Sequence, residues 1–303
     1  MKNQKNVCGW IFLDKPIGMS SNMVLQKVRK VFFNCKAGYV GTLDPLASGF
    51  LPIALGKATK TIKFLEKSYK EYVFTVKWGL QTSTGDLEGD VITNVNKFPN
   101  LDDIKNTLKK FCGETLQTPH KFSSKKINGI RAYKLARKNK KFKLKKNKID
   151  VKNFLLVTKN SNDKTTFYIK CSSGTYIRSL AEDMAKIMRT YGTLIALRRI
   201  GFGEFNKKLI SLDYLLSLVH SETQIKTIKP ISSVFRGVNQ IDLDRNEFDQ
   251  ILNGRSIKMK RLSDKKKINA DNDFTFAKFQ DKVVALGYRV KEDFHPKKIF
   301  EIL

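Results

Sequence analysis

KEYVFTVKWG, residues 70 to 79, is the stretch that decides the class of fold. Its side chains alternate: one face carries Tyr72, Phe74, Val76 and Trp78, and the other carries Val73, Thr75 and Lys77. A period of two residues is the period of a β-strand with one buried face. The stretch therefore predicts a strand of a sheet that packs against an apolar core.

Further elements can be predicted on both sides of this strand. Short apolar or alternating runs predict strands at 10–13, 49–56 and 166–172. Pro52 falls inside the second of these runs, so we expect that strand at a sheet edge or at a bulge. Helical spacing predicts helices in four places: after Ser20 or Ser21, over 101–112, over 131–138, and after the turn at 172–176.

The C-terminal part of the chain differs from the rest. Residues 216–232 have the composition of a domain boundary, and 233–303 contain short strand-like pieces. A chain of 303 residues is long enough for one large domain and one small one. We therefore expect a domain over 1–232 and a small β-rich domain over 233–303.

The charge of the chain is strongly positive. It has 58 Lys plus Arg against 28 Asp plus Glu, a formal net charge of +30. Such an excess favours a polyanionic partner, and nucleic acid is the leading candidate. A Lys-rich genome that places lysine on every solvated face would give the same composition, and both explanations can hold together.

Several functional classes lack their sequence signals. The three histidines and the four cysteines are scattered, which argues against a zinc site, a Ser-His-Asp triad and disulfides. There is no nucleotide-binding motif, no apolar run of membrane-spanning length and no secretory leader. We expect a cytoplasmic protein with no metal and no cofactor, and a monomer, since no heptad or apolar stripe appears.

Asp44 is the most informative single residue. It lies in GTLDPLASG, residues 41 to 49, where Pro45 holds its backbone extended between two glycines. Asp-Pro pairs also begin ordinary turns, and spacing alone favours that interpretation. A carboxylate, however, is ionised at neutral pH and needs no neighbouring base to act as a nucleophile, although it needs a partner such as Arg178 to orient it.

Seven linked motifs resemble the bacterial tRNA pseudouridine synthase B family. They keep the order and approximate spacing of the family over residues 10–205, about two thirds of the chain. The motifs are L-D-K-P-I-G-M-S-S (13–21), G-T-L-D-P-L-A-S-G (41–49), K-E-Y (70–72), G-D (85–86), K-I-N-G-I-R-A-Y-K-L-A-R (126–137), C-S-S-G-T-Y-I-R-S-L-A-E-D (171–183) and L-R-R-I-G-F-G (197–203).

The resemblance implies a fold and an activity. The fold would be α+β, a mixed, mostly antiparallel sheet of the pseudouridine synthase type with flanking helices, followed by a small C-terminal β-rich, PUA-like RNA-binding domain. The activity would be isomerisation of the T-loop uridine at position 55 of tRNA to pseudouridine, without metal or organic cofactor. The target base would have to be flipped out of its stack first.

The resemblance also implies catalytic residues. Asp44 matches the catalytic aspartate, which would attack the ribose C1′ or the uracil ring, or promote a glycal intermediate. Tyr72 matches the tyrosine that stacks on the target base, although it could equally be a core aromatic of its strand. Arg178 matches the arginine that pairs with the aspartate and keeps it ionised.

Substrate-binding residues follow in the same way. Asp86 matches a polar residue of the active-site loop and Leu197 the apolar rim of the pocket. Residues 119–150 match a mobile RNA-binding loop, whose phosphate and sugar contacts would come from Lys126, Arg131, Tyr133 and Arg137. Two positions depart from the family: Tyr39 replaces a histidine that helps to fill the space left by the flipped base, and His120 replaces the second of two prolines.

Two other functions remain open from the sequence. The charge alone would also suit a non-catalytic RNA-binding protein or tRNA folding chaperone. The same chemistry could also act on a ribosomal RNA or on another position of tRNA.

Overall fold

The computed structural model describes residues 7–203, 205, 208–219, 223–235, 238–258 and 273–300. The strands are β1 (Gly9–Lys15), β2 (Ala37–Tyr39), β3 (Ser48–Leu55), β4 (Lys70–Trp78), β5 (Leu80–Thr82), β6 (Val91–Asn94), β7 (Gly113–Gln117), β8 (Lys126–Ile127), β9 (Ile130–Arg131), β10 (Asn147–Lys159), β11 (Lys164–Cys171), β12 (Gly192–Phe202), β13 (Ile210–Ser211), β14 (Asn239–Asp242), β15 (Ile257–Lys258), β16 (Asp273–Phe279), β17 (Lys282–Val290) and β18 (Asp293–Ile299). The α-helices are α1 (Ser21–Val31), α2 (Ile62–Leu65), α3 (Leu101–Lys109), α4 (Ala132–Arg137), α5 (Ile177–Ile187), α6 (Leu212–Ser217), α7 (Thr223–Lys226) and α8 (Arg245–Leu252).

Nine of the eighteen described strands form one sheet with β4 near its centre. The order is β13-β1-β3-β12-β4-β11-β10-β7, and β2 also pairs with β3. The β1–β13 and β3–β12 pairs are parallel and the other pairs are antiparallel. The predicted mixed, mostly antiparallel sheet with flanking helices is therefore confirmed, and β4 has the predicted alternation of buried and half-buried side chains.

Pro52 does not lie at an edge, so the expectation for this residue is wrong. Strand β3 has β1 on one side, and on the other it pairs with β12 at Ser48 and Gly49 and with β2 from Ile53 onward. In the gap between these two partners, the Arg199 side chain donates a hydrogen bond to the carbonyl of Phe50 (2.6 Å). An interior strand accommodates the proline because a side chain replaces part of the backbone ladder there.

Helices cover the sheet in two groups. The buried face of α1 and the residues Leu212 and Leu215 of α6 pack on β1 and β3. Helices α3 and α5 pack on the apolar faces of β4, β10 and β11, in a cluster that includes Phe74, Trp78 and Phe167. Arg178, in the first turn of α5, lies beside the turn that follows β2 and carries Asp44.

The C-terminal strands form a second sheet in the order β14-β16-β17-β18-β15. This curled sheet agrees with the expected β-rich, PUA-like domain. An aromatic cluster joins the two sheets: Phe64 stacks on Phe274 at 4.2 Å and Phe235 on Phe276 at 5.3 Å between ring centroids. The division at 232/233 remains our proposal for the domain boundary.

Candidate active site

The turn that carries Asp44 is held through its backbone. Ser21, at the start of α1, accepts a hydrogen bond from the Leu43 amide (2.8 Å) and donates one to the Leu43 carbonyl (2.9 Å). The Gly18 amide donates to the carbonyl of Pro45 (2.9 Å). The Ala47 amide donates to the Asp44 carbonyl (3.0 Å), which closes the turn itself.

Two buried cations complete this cage. The Lys15 ammonium group donates to the carbonyls of Met19 (2.5 Å) and Pro45 (3.4 Å). The Arg199 guanidinium group donates to the carbonyl of Gly41 (2.9 Å). Because charged donors form the stronger hydrogen bonds, both ends of the turn are fixed before any ligand binds.

Asp44 forms an ion pair with Arg178. The Arg178 Nη2 lies 2.8 Å from the Asp44 Oδ2, and the side chain of Asp44 is 39% exposed whereas that of Arg178 is 7% exposed. The guanidinium group also contacts Asp86 (3.3 Å) and donates to the carbonyls of Thr84 (3.1 Å) and Phe122 (3.0 Å). The planar guanidinium group of Arg178 has four partners, and through one of them it fixes the accessible Asp44 carboxylate.

Asp86 lies behind Arg178 rather than at the substrate side of the site. Its side chain is 2% exposed, and its Oδ1 accepts hydrogen bonds from the Thr84 hydroxyl (2.5 Å) and the Glu88 amide (3.1 Å). The sequence resemblance predicts a substrate contact for Asp86, whereas the structure places its side chain behind Arg178. A buried arginine needs a counterion, and Asp86 supplies it.

A cavity of about 230 Å³ opens in front of Asp44. Among the predicted residues, the structure brings Asp44, Tyr72, Arg178 and Leu197 to its lining. Lys70, Ser123, Ser124, Tyr176 and Arg199 also line it. One carboxylate, the phenols of Tyr72 and Tyr176 and apolar surface thus meet in a space that is open to solvent.

Tyr72 combines a core position with a place in the cavity wall. It belongs to the apolar cluster under β4 and is opposite Arg199 in the β4–β12 register. Burial raises the pKa of the Tyr72 phenol above its ordinary value, although Arg199 nearby opposes the shift. The phenol therefore keeps its proton at neutral pH and can donate a hydrogen bond.

Lys70 and Arg199 are two site residues that the sequence analysis does not identify. Both place their charge over the Phe202 ring, with Lys70 Nζ at 4.8 Å and Arg199 Cζ at 5.4 Å from its centroid. Burial lowers the pKa of Lys70 to about 8. Both lie within motifs quoted above, but only the cross-strand packing identifies them as buried members of the site.

Several other predicted residues lie outside the cavity lining. Tyr39 is half-buried in β2 and packs against the cluster under α1. Lys126 and Arg131 are exposed on the β8–β9 hairpin, and Tyr133 with Arg137 lies on α4. These four residues form a basic surface on the segment whose Ser123 and Ser124 reach the cavity.

The described residues contain no group of three or more His, Cys, Asp or Glu side chains suited to a metal ion. Within the same part of the chain, no helix is long and apolar enough to cross a bilayer.

A family model and two solved structures indicate the class of protein. Residues 29–177 match the family model described as TruB family pseudouridylate synthase (N terminal domain). The fold is similar to that in the structure of an H/ACA RNP bound to a substrate RNA containing 2'-deoxyuridine, with a TM-score of 0.75, 23% identity, and coverage of 97% of this chain and 85% of the other. A Cbf5-Nop10-Gar1 complex gives a TM-score of 0.73 at 24% identity, covering 97% of this chain and 85% of the other. The chain is thus of the pseudouridine synthase class.

Relatives in bacteria define the family. The tRNA pseudouridine synthase B of Bartonella henselae is 34% identical over 99% of this chain and 98% of the relative. The protein of the same name from Ehrlichia ruminantium is 37% identical over 84% of this chain and 87% of the relative. The chain belongs to the tRNA pseudouridine synthase B family.

Proposed function

We propose that this chain converts the T-loop uridine at position 55 of tRNA to pseudouridine, as a cytoplasmic monomer that uses no metal or organic cofactor. The observation that carries the proposal is the accessible Asp44 carboxylate, fixed by Arg178 at a cavity that Tyr72 and Leu197 line. The isomerisation breaks the bond between N1 and C1′, forms a bond between C5 and C1′, releases the proton of C5 and returns a proton to N1.

Asp44 would act as an ionised carboxylate in each route that remains open. It could attack C1′ directly, attack the uracil ring, or remove a ribose proton on the way to a glycal. Arg178 would stabilise the negative charge in all three routes when RNA closes the cavity and lowers the local dielectric. Asp86 would hold the guanidinium group in place during the reaction.

Tyr72 and Leu197 would receive the flipped uracil. Extruding a stacked base costs a few kcal/mol, which contact with an aromatic ring and an apolar side chain can partly offset. The protonated Tyr72 phenol would also take part in proton transfer to or from the detached base. Tyr39, half-buried in β2, would help to fill the space that the flipped base leaves.

The segment 119–150 would bind the T-arm as a mobile loop, anchored at its start, where His120 is buried and the Phe122 carbonyl binds Arg178. Lys126, Arg131, Tyr133 and Arg137 present charge and one ring on its outer surface, and contacts to phosphates and sugars position an RNA without reading its sequence. The C-terminal sheet would add a second RNA-binding surface.

A non-catalytic RNA-binding protein or folding chaperone is not favoured. Asp44 is held at an open cavity by a guanidinium group that Asp86, Thr84 and Phe122 also bind. A protein that only binds phosphates has no use for such a carboxylate. The same chemistry on another RNA position is the remaining alternative. Mapping pseudouridines in RNA from cells that lack the protein would separate position 55 from other targets.

The substitution Asp44→Asn tests the catalytic assignment. It keeps the size of the side chain and removes the charge, so we expect the single-turnover rate to fall by about a thousandfold or more. Tritium release from C5 of labelled uridine in a T-arm hairpin reports the reaction, and filter binding reports RNA affinity. The matched control is Asp163→Asn, a change of the same kind at the β10–β11 hairpin.

Retention of activity in Asp44→Asn would overturn the role of this carboxylate. Tight RNA binding by the wild-type chain with no tritium release would instead support the chaperone alternative.

A further inference from the structure

We infer that His120 and Glu182 form a positioning pair for the catalytic arginine, an inference that rests on the proposed function. Neither residue lines the cavity or contacts Asp44. Both lie under the backbone segments that hold Arg178, and the His120 side chain is only 3% exposed.

The two nitrogens of His120 have different partners. Its Nδ1 accepts a hydrogen bond from the Phe122 amide (3.2 Å), and its Nε2 lies 3.4 Å from the Glu182 Oε1. An acceptor at Nδ1 requires the proton of a neutral imidazole to be on Nε2, where it faces the carboxylate. The partners therefore specify a single tautomer.

Phe122 connects this ring to the catalytic arginine. Its amide binds His120, and its carbonyl accepts a hydrogen bond from the Arg178 Nη2 (3.0 Å), the same nitrogen that contacts Asp44. A shift of the Phe122 peptide would therefore move the guanidinium nitrogen that faces the catalytic carboxylate.

Gly85 connects the pair to the other side of the guanidinium group. A Cβ atom at this position would lie 2.9 Å from the Glu182 Oε1 and 3.1 Å from the His120 Nε2, so the Gly85 backbone rests directly on the pair. Gly85 stands between Thr84 and Asp86, the two residues that contact the Arg178 Nη1.

Helix α5 makes the arrangement rigid. Arg178 and Glu182 are four residues apart and thus on one face of the helix. Burial would raise the pKa of Glu182, but the hydrogen bond from His120 and the positive charges of Lys186 and Lys121 outweigh it and lower that pKa. Helix α5 therefore supplies both the Arg178 guanidinium group and the Glu182 carboxylate, which binds His120.

Three substitutions of His120 separate its two contacts. Asn places an acceptor where Nδ1 is, Gln places a polar group where Nε2 is, and Ala removes both. We expect His120→Ala and His120→Gln to lower kcat by about tenfold, the value of one lost hydrogen bond of this kind, with KM changed by less than about twofold. His120→Asn should retain kcat to within about threefold.

Glu182→Gln has a matched control on the same helix. Asp183→Asn is also a change from acid to amide, but Asp183 pairs with Lys186 at 3.2 Å instead of with His120. We expect the first to lower kcat by about threefold to tenfold and the second to leave it unchanged. Equal kcat values for His120→Ala and wild type, or equal losses in His120→Asn and His120→Ala, would overturn the inference.

A measurement on the wild-type chain keeps the test independent of folding and of activity. The ¹⁵N shifts of the His120 ring distinguish the two neutral tautomers, and the signal is assigned by its loss in His120→Asn. We expect the proton on Nε2, and a proton on Nδ1 would contradict the arrangement. Inactivity of the wild-type chain on tRNA would refute the proposed function and leave this ring measurement valid.

Discussion

At the scale of single residues, the burial of Lys15 and Lys70 in the site lowers the free energy of unfolding. Burial lowers the pKa of each ammonium group to about 8, from an ordinary value of 10.5. Between pH 8 and 10.5 the unfolded chain therefore binds more protons than the folded one, and the free energy of unfolding rises with pH. At neutral pH both lysines are charged and both reduce stability.

Replacing Lys70 with Met should remove half of this effect. We expect the rise in unfolding free energy between pH 7.5 and 9.5 to be smaller than in wild type by about 2 kcal/mol. Urea unfolding at the two pH values measures it. The control is Lys77→Met, on the same strand but 36% exposed beside Asp163, which should keep the wild-type pH dependence.

Sequence reasoning reaches some residues of the site and not others. Asp44, Tyr72 and Arg178 stand in linear motifs, and the structure brings their side chains together. The roles of Asp86 and Arg199 as buried partners depend on contacts between distant parts of the chain, Asp86 with Arg178 on α5 and Arg199 with Tyr72 across the β4–β12 pair. No local pattern encodes such contacts.

At the scale of elements, the junction of β3 with β12 supports the site. The two strands pair in parallel at Arg198 with Ser48 and at Arg199 with Gly49. Gly49 has φ +99°, and a Cβ there would lie 2.2 Å from the Arg199 carbonyl oxygen. A side chain at this position is therefore excluded both by conformation and by contact.

Gly49→Ala should destabilise the chain by about 3 kcal/mol or more, since backbone must move to admit the methyl group. Gly113→Ala is the matched control, with φ +87° but no atom within 4 Å of its added Cβ, and should cost about 1 kcal/mol. Equilibrium unfolding of the two variants compares them. Equal losses would show that conformation alone, and not the close approach of β12, requires the glycine.

The elements themselves were largely predictable. The pattern of apolar residues predicts β1, β3, β4 and β11, because each of these strands contains its own apolar or alternating run. It did not predict the neighbours of β3, because the Arg199 side chain fills a gap in the ladder beside Pro52. A side chain that substitutes for a strand leaves no periodic signal.

At the scale of the whole molecule, the chain has a net charge of +30, but only the lysines and arginines that contact phosphates should set the salt dependence of RNA affinity through counterion release. The double variant Lys126→Ala with Arg131→Ala should reduce the slope of log affinity against log salt by about 1.4 to 1.8, if each residue contacts one phosphate. Filter binding across a salt series measures the slope. Lys105→Ala with Lys109→Ala, an equal loss of charge on α3, should leave it unchanged.

The sequence predicts the second sheet, but it does not predict the packing of this sheet against the first. The ring contacts of Phe64 and Phe235 with β16 join residues far apart in the chain. Such contacts follow from the assembled fold, and composition shows only that aromatic residues are available. The boundary expected near 216–232 therefore marks a change in the sequence pattern. It does not mark a break in the packing, because one apolar cluster spans the two sheets.

The caged turn around Asp44 has a consequence for speed. Ser21, Gly18, Lys15 and Arg199 fix its peptide groups when the protein folds. The entropy of ordering the Asp44 carboxylate is therefore lost once, on folding, and not in every reaction cycle. The remaining mobile partners are the RNA-binding loop and the nucleotide. Transfer RNAs whose elbow opens easily should therefore be converted faster than rigid ones, at an equal occupancy of the enzyme.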